Sequence, residues 1–123
     1  MSEQKKILIL DETLEFRNDF AQLLRQENYQ VFLADDGRHG IQLAEQSVPD
    51  VVLVDALAEK MDGGQVIKRL REMPSGRQMI VVVVSARAKM RDYFDAIGVD
   101  AFIEKPVDLK ALSARIRQLL QEG

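Results

Sequence analysis

A chain of 123 residues, 46% of them hydrophobic and 30% charged, holds enough apolar matter for one core, and residues 1–123 are expected to form a single domain. The formal net charge of -3, with Lys and Arg scattered through the chain, excludes a basic field for direct nucleic-acid binding. The lack of cysteine excludes disulfides, thiolate metal sites and thiol catalysis.

The opening Met1-Ser2-Glu3-Gln4-Lys5-Lys6 leads directly into a strand-length apolar run over Lys6–Leu10. No signal peptide is expected there, and no later run is long enough to span a bilayer, so the expected location is the cytoplasm, away from membranes. Phe16, Phe20, Leu23 and Leu24 then share one face of a first helix. A second strand over Gln30–Ala34 gives way at Gly37 to a helix with Ile41, Ala44 and Val48 on one face. After Pro49 comes a strand over Asp50–Val54. Beyond Gly63-Gly64, a helix carries Val66, Ile67, Leu70 and Met73. Pro74-Ser75-Gly76 breaks the chain before the strand Met79–Val84, and Met90, Phe94 and Ile97 mark a short fourth helix ending at Gly98. The strand Ala101–Glu104 and Pro106 precede the clearest helix, with Leu109, Leu112, Ile116, Leu119 and Leu120 in one stripe and Asp108 as its N-cap.

Strand-helix alternation along the whole chain predicts an α/β domain with a doubly wound parallel sheet. Ile7–Leu10, Val51–Val54 and Ile80–Val84 are uninterrupted aliphatic runs, as interior strands covered on both faces require. The weaker Val31–Ala34 and Ala101–Ile103 belong at the edges. With right-handed crossovers, edges formed by the second and fifth strands fit the order 2-1-3-4-5. In a sheet of that order, ligands bind beyond the carboxyl ends of the strands where the order reverses, here strands one and three.

The chemistry gathers at those ends. The first strand runs into Asp11-Glu12, the third into Asp55, the fourth into Ser85, and the fifth through Glu104 into Lys105-Pro106. Three carboxylates in one crevice repel one another unless a cation sits among them. Hard oxygen ligands suit Mg²⁺, which shares phosphate oxygens and keeps several waters. Asp55, at the end of the central strand, is placed for a nucleophile, and an aspartate can take a phosphoryl group as an acyl phosphate. A lysine and Mg²⁺ would spread the charge on the transferring oxygens. Singly, each residue has an ordinary use: carboxylates solubilise loops, a serine caps a helix and a lysine sits in solvent. Their recurrence at the same place in successive units outweighs those uses.

The ordered set resembles the receiver domain of two-component response regulators from end to end. Leu10-Asp11-Glu12 with Glu15-Phe16-Arg17 resembles the acidic pair and first helix, and Asp35-Asp36-Gly37 the second turn. Pro49-Asp50-Val51-Val52-Leu53-Val54-Asp55 resembles the phosphoacceptor strand, with Met61-Asp62-Gly63 at the family's spacing beyond it. Ser85-Ala86 is similar to the switch hydroxyl and its small neighbour, and Phe102 with Lys105-Pro106 to the switch aromatic and the lysine whose bond to proline is typically cis.

The resemblance implies a flavodoxin-like (βα)5 fold. It implies phosphorylation of Asp55 by a histidine kinase, a phosphotransfer protein or a small phosphodonor. Glu12 and Asp55 would supply carboxylates to Mg²⁺, with the Leu57 backbone carbonyl as a third ligand and Asp11 acting through ordered water. Lys105 would contact the phosphoryl oxygens. Ser85 would swing in to bond one of them and leave room for Phe102 to rotate inward. The outcome would be a population shift at the face of the fourth helix, fifth strand and fifth helix, where a downstream effector protein binds.

Departures from the family pattern bear on lifetime. Ala58-Glu59 replaces the usual Met-Pro pair, which loosens the loop and adds a carboxylate. Leu57 stands where polar residues help place the hydrolytic water, and Arg87 stands two after Ser85, so slow self-dephosphorylation is expected. The chain is expected to catalyse its own phosphorylation and dephosphorylation only, and not to be a turnover enzyme. An alternative is a phosphorylation-independent interaction module with a receiver fold. A hydrolase using Asp55 ranks last, because Leu57 occupies the place of that class's general acid. His39 is expected at the surface. With no output domain after Leu120, the effect is expected to pass through another protein or another polypeptide of which this is a part. Homodimerisation is left open by the spacing of Arg91, Asp95, Arg115 and Arg117.

Overall fold

A computed structural model describes residues 4–55 and 62–122. Its elements alternate as β1 (Lys6–Leu10), α1 (Leu14–Gln26), β2 (Gln30–Ala34), α2 (Gly37–Ser47), β3 (Val51–Asp55), α3 (Gly63–Glu72), β4 (Ile80–Ser85), α4 (Arg91–Ile97), β5 (Ala101–Glu104) and α5 (Leu109–Glu122). Single 3-10 turns at Gly76–Gln78 and Ala88–Met90 lead into β4 and α4. The strands form one parallel sheet in the order β2-β1-β3-β4-β5, as the strength of the apolar runs leads one to expect, and this is the flavodoxin-like arrangement that the resemblance implies.

Alternate residues of the inner strands face opposite layers, because side chains in a strand point to opposite faces. Leu8, Leu10, Val52, Val54, Val81 and Val83 pack with Ala44 of α2, Val66, Ile67 and Leu70 of α3 and Phe94 of α4. Ile7, Ile9, Val51, Leu53, Val82 and Val84 pack with Phe20, Ala21 and Leu24 of α1 and Leu112, Ile116 and Leu119 of α5. Burying both faces leaves the inner strands no polar position between their first residue and their carboxyl ends. The polar groups therefore collect at the carboxyl edge.

Arg71 pins the opposite edge of the sheet. Its guanidinium donates to the carbonyls of Gly76, Met79 and Gly98 and pairs with Asp100, whose carboxylate accepts from the Val81 amide. Asp36, Asp62 and Asp108 cap α2, α3 and α5 by accepting from His39, Gln65 and Ala111 amides, the last as its sequence position predicts.

Two boundaries and one helix face differ from expectation. β3 and β4 each lie one residue further along than their apolar runs. Asp55 pairs with Val84 and Ser85 with Glu104, because ladder bonds use backbone atoms and are indifferent to side-chain polarity. Val48 does not extend the buried face of α2. It is the C-cap, 48% exposed, in the left-handed region with φ 49° and ψ 70°, its amide donating to the Ala44 carbonyl.

A β-branched side chain is strained in that region, which glycine adopts freely. Val48→Gly should therefore raise stability by about 0.5–1 kcal/mol, since little burial is lost. Urea unfolding checks this. A destabilised Val48→Gly protein would mean that the valine contributes packing that outweighs its backbone strain.

Candidate functional site

Strand register assembles the site. Asp11 follows β1 directly, and its amide donates to the Ala34 carbonyl, so it continues the ladder with β2. Asp55 is the last residue of β3, next to β1 in the sheet. Ser85 ends β4. The Lys105 amide donates to the Ser85 carbonyl at 2.8 Å, which carries the β4–β5 ladder one residue past Glu104. The Lys105-Pro106 peptide bond is cis, as the resemblance implies.

From there the Lys105 side chain reaches back over the carboxyl edge. Its Nζ lies 3.3 Å from Asp11 Oδ2 and 3.4 Å from Asp55 Oδ2, bridging the two carboxylates. Asp11 is 1% exposed and Asp55 7% exposed. Two anions so far from bulk water would repel strongly, and the shared ammonium offsets that repulsion. Asp11 is further held by the Thr13 amide, which donates to its Oδ1 at 2.8 Å.

Ser85 is fully buried, and its Oγ accepts from the Arg87 amide at 3.1 Å. It closes a tight turn and caps no helix, because α4 starts only at Arg91. A hydroxyl that accepts one bond keeps its proton for another acceptor. Phe102 is 6% exposed and turned into the core, its ring 6.2 Å from that of Phe94. Arg91 covers it, the guanidinium carbon 4.9 Å from the ring centroid and Nη1 donating to the Phe102 carbonyl. Phe102 thus already occupies the inward position.

Glu12, half-buried, follows Asp11 in the turn into α1. Among the described residues, no three Asp, Glu or His side chains are placed to hold a metal ion by themselves. Mg²⁺ is commonly bound by one or two carboxylates with water and phosphate, so the pair at Asp11 and Asp55 has the right chemistry for a share of such a site. Leu57, Ala58, Glu59 and Met61 lie outside the described residues. His39 is exposed, as expected, and its backbone amide donates to Asp36.

Two contributors were missed in the sequence. Arg17 Nη1 donates to the Asp11 carbonyl at 2.6 Å, fixing the turn that carries the acidic pair. Phe16 lies with its ring centroid 4.9 Å from Lys105 Nζ. Both sit in the first turns of α1, whose side chains lean back toward the helix start and hence toward the end of β1. That directional rule was the available signal. The apolar stripe instead marked Phe16 as core.

Comparison with known proteins agrees with this architecture. Residues 7–117 match the model of the response regulator receiver domain. The chain is 33% identical over 121 residues to the transcriptional regulatory protein PcoR of Escherichia coli, covering 97% of this chain and 53% of that protein. It therefore spans about half the length of that curated relative. A CheY-like response regulator receiver domain protein from Methanospirillum hungatei JF-1 superposes with a TM-score of 0.88 at 27% identity, over 98% of this chain and 96% of its own. The receiver domain of sensor histidine kinase PA1611 from Pseudomonas aeruginosa PAO1 gives 0.83 at 21% identity, over 94% and 97%. At that identity the likeness is one of fold, and that protein is described with a magnesium ion coordinated in its active-site cleft. With the family's sheet order in place and its motif residues at the ends of the strands, the chain belongs to the response regulator receiver domains of two-component systems.

Proposed function

We propose that this receiver domain is a phosphoryl-accepting switch of a phosphorelay, with Asp55 as the acceptor. The observation that carries this reading is the Lys105 ammonium set between the buried carboxylates of Asp11 and Asp55. An Asp55 oxygen attacks the phosphorus of the donor, the bond to the leaving group breaks, and an acyl phosphate remains on Asp55. Lys105 is already within reach of the new phosphoryl oxygens and needs only to shift its contact from carboxylate to phosphate. The buried Ser85 hydroxyl supplies a hydrogen bond to one of those oxygens.

Two carboxylates face one ammonium here, and Glu12 follows Asp11 in the chain, so these hard oxygen donors suit a divalent cation. Glu12, Asp55 and the Leu57 carbonyl would hold Mg²⁺, with Asp11 acting through water. The ion would supply neutralisation of charge on the donor phosphate. Donors would be a histidine kinase, a phosphotransfer protein or a small phosphodonor. Ser85 and Phe102 couple the site to the face of α4, β5 and α5, where an effector protein would bind. The domain turns over only its own phosphoryl group.

Incubation with acetyl phosphate and Mg²⁺ should add one phosphoryl group to the intact mass, and Asp55→Ala should abolish it. Wild-type protein that stays unmodified, and that also fails to bind beryllofluoride, would favour the phosphorylation-independent interaction module. Once formed, the adduct should be long-lived, because Leu57 offers no polar group to orient the attacking water. Leu57→Asn should shorten its half-life roughly tenfold, ~1.4 kcal/mol in barrier. An unchanged half-life would remove Leu57 as the cause.

A further inference from the structure

Resting on the phosphoryl-accepting reading above, we propose that Phe16 is a positioning residue for Lys105, holding the ammonium against the face of its ring. Lys105 Nζ lies 3.3 and 3.4 Å from its two carboxylate partners, longer than a tight charge-assisted hydrogen bond. The ammonium is therefore shared between them and bound closely to neither. A flexible four-carbon stem would let such a group wander unless something limits it from a third side. The Phe16 ring does so, its centroid 4.9 Å from Nζ, within the range where a ring face attracts a cation.

The ring is itself fixed. Phe16 stands in the first turn of α1, half-buried, 5.8 Å from the ring of Phe20, which has no exposed surface. The chain of contacts thus runs from the core beneath α1 through Phe16 to the lysine and on to Asp11 and Asp55. An uncharged ring has one property that a third carboxylate would lack. It orients the ammonium without competing for its charge when phosphoryl oxygens arrive. An aliphatic residue would fill the same space but lacks the negative ring face.

The test uses the full chain as wild type, Phe16→Leu and Phe16→Tyr, with Lys105→Arg to assign the Lys105 signals. Protons beside a ring face move upfield, so the Lys105 Hε protons should be displaced upfield in the wild type and in Phe16→Tyr. They should return to the ordinary lysine position in Phe16→Leu. The rate of phosphorylation by acetyl phosphate with Mg²⁺ should fall about two- to fivefold in Phe16→Leu and recover in Phe16→Tyr. Ordinary Hε positions in the wild type would overturn the contact whether or not any variant folds. A folded Phe16→Leu protein phosphorylated at the wild-type rate would overturn the positioning role. A wild type that takes no phosphoryl group would instead overturn the switch reading, while the Hε position still decides the contact.

Discussion

Asp11 and Asp55 close the ends of neighbouring strands, both nearly out of contact with water, and without Lys105 their charges would push against each other across the β1–β3 pair. The lysine's place between them organises the rest of the carboxyl edge. It requires that β5 end where it does, so that one residue past Glu104 the side chain can reach across β4. It requires that the β1–α1 turn be stiff, which the Thr13 amide and the Arg17 guanidinium achieve by holding Asp11 from its two ends. The Lys105 side chain is partly accessible, at 24%, whereas Asp11 beside it is almost wholly enclosed.

The opposite edge of the sheet explains why that geometry is reproducible. Arg71 ties the loops before β4 and β5 to one point, fixing the start of both strands. Strands fixed at one end and packed on both faces deliver their last residues to defined positions. The candidate site then sits at the carboxyl edge, where Asp11, Asp55, Ser85 and Lys105 follow the apolar runs. Phe102 belongs to the same logic: its ring shares the core of α3 and α4 with Phe94, so its position is linked to packing on that side of the sheet.

Much of this was legible from the residues. The unbroken aliphatic runs of β1, β3 and β4 against the weaker β2 and β5 carried the strand order, because burial on both faces leaves that signature. That Asp55, Ser85 and Lys105 meet at one edge was legible for the same reason, as polar residues ending apolar runs. What was not legible depends on direction and backbone. Phe16 fits the apolar stripe of α1 as well as it fits the ammonium of Lys105, and only the lean of the first helical turn separates the two. Arg17 acts on a backbone carbonyl, which no side-chain pattern records. Val48 continued the spacing of α2, but the left-handed backbone that ends the helix there has no apolar signature. The extra residue on β3 and on β4 was hidden for a related reason, since Asp55 and Ser85 pair through backbone while breaking the hydrophobic run.

If Lys105 offsets the repulsion between Asp11 and Asp55, unfolding free energies will register it. Urea unfolding would be compared for wild type, Lys105→Met and Lys105→Met with Asp55→Asn. Lys105→Met should lose about 1–3 kcal/mol, because buried carboxylates are left without their partner, and adding Asp55→Asn should restore a good part of it. A Lys105→Met protein as stable as wild type, or a double variant with no recovery, would contradict that role of Lys105.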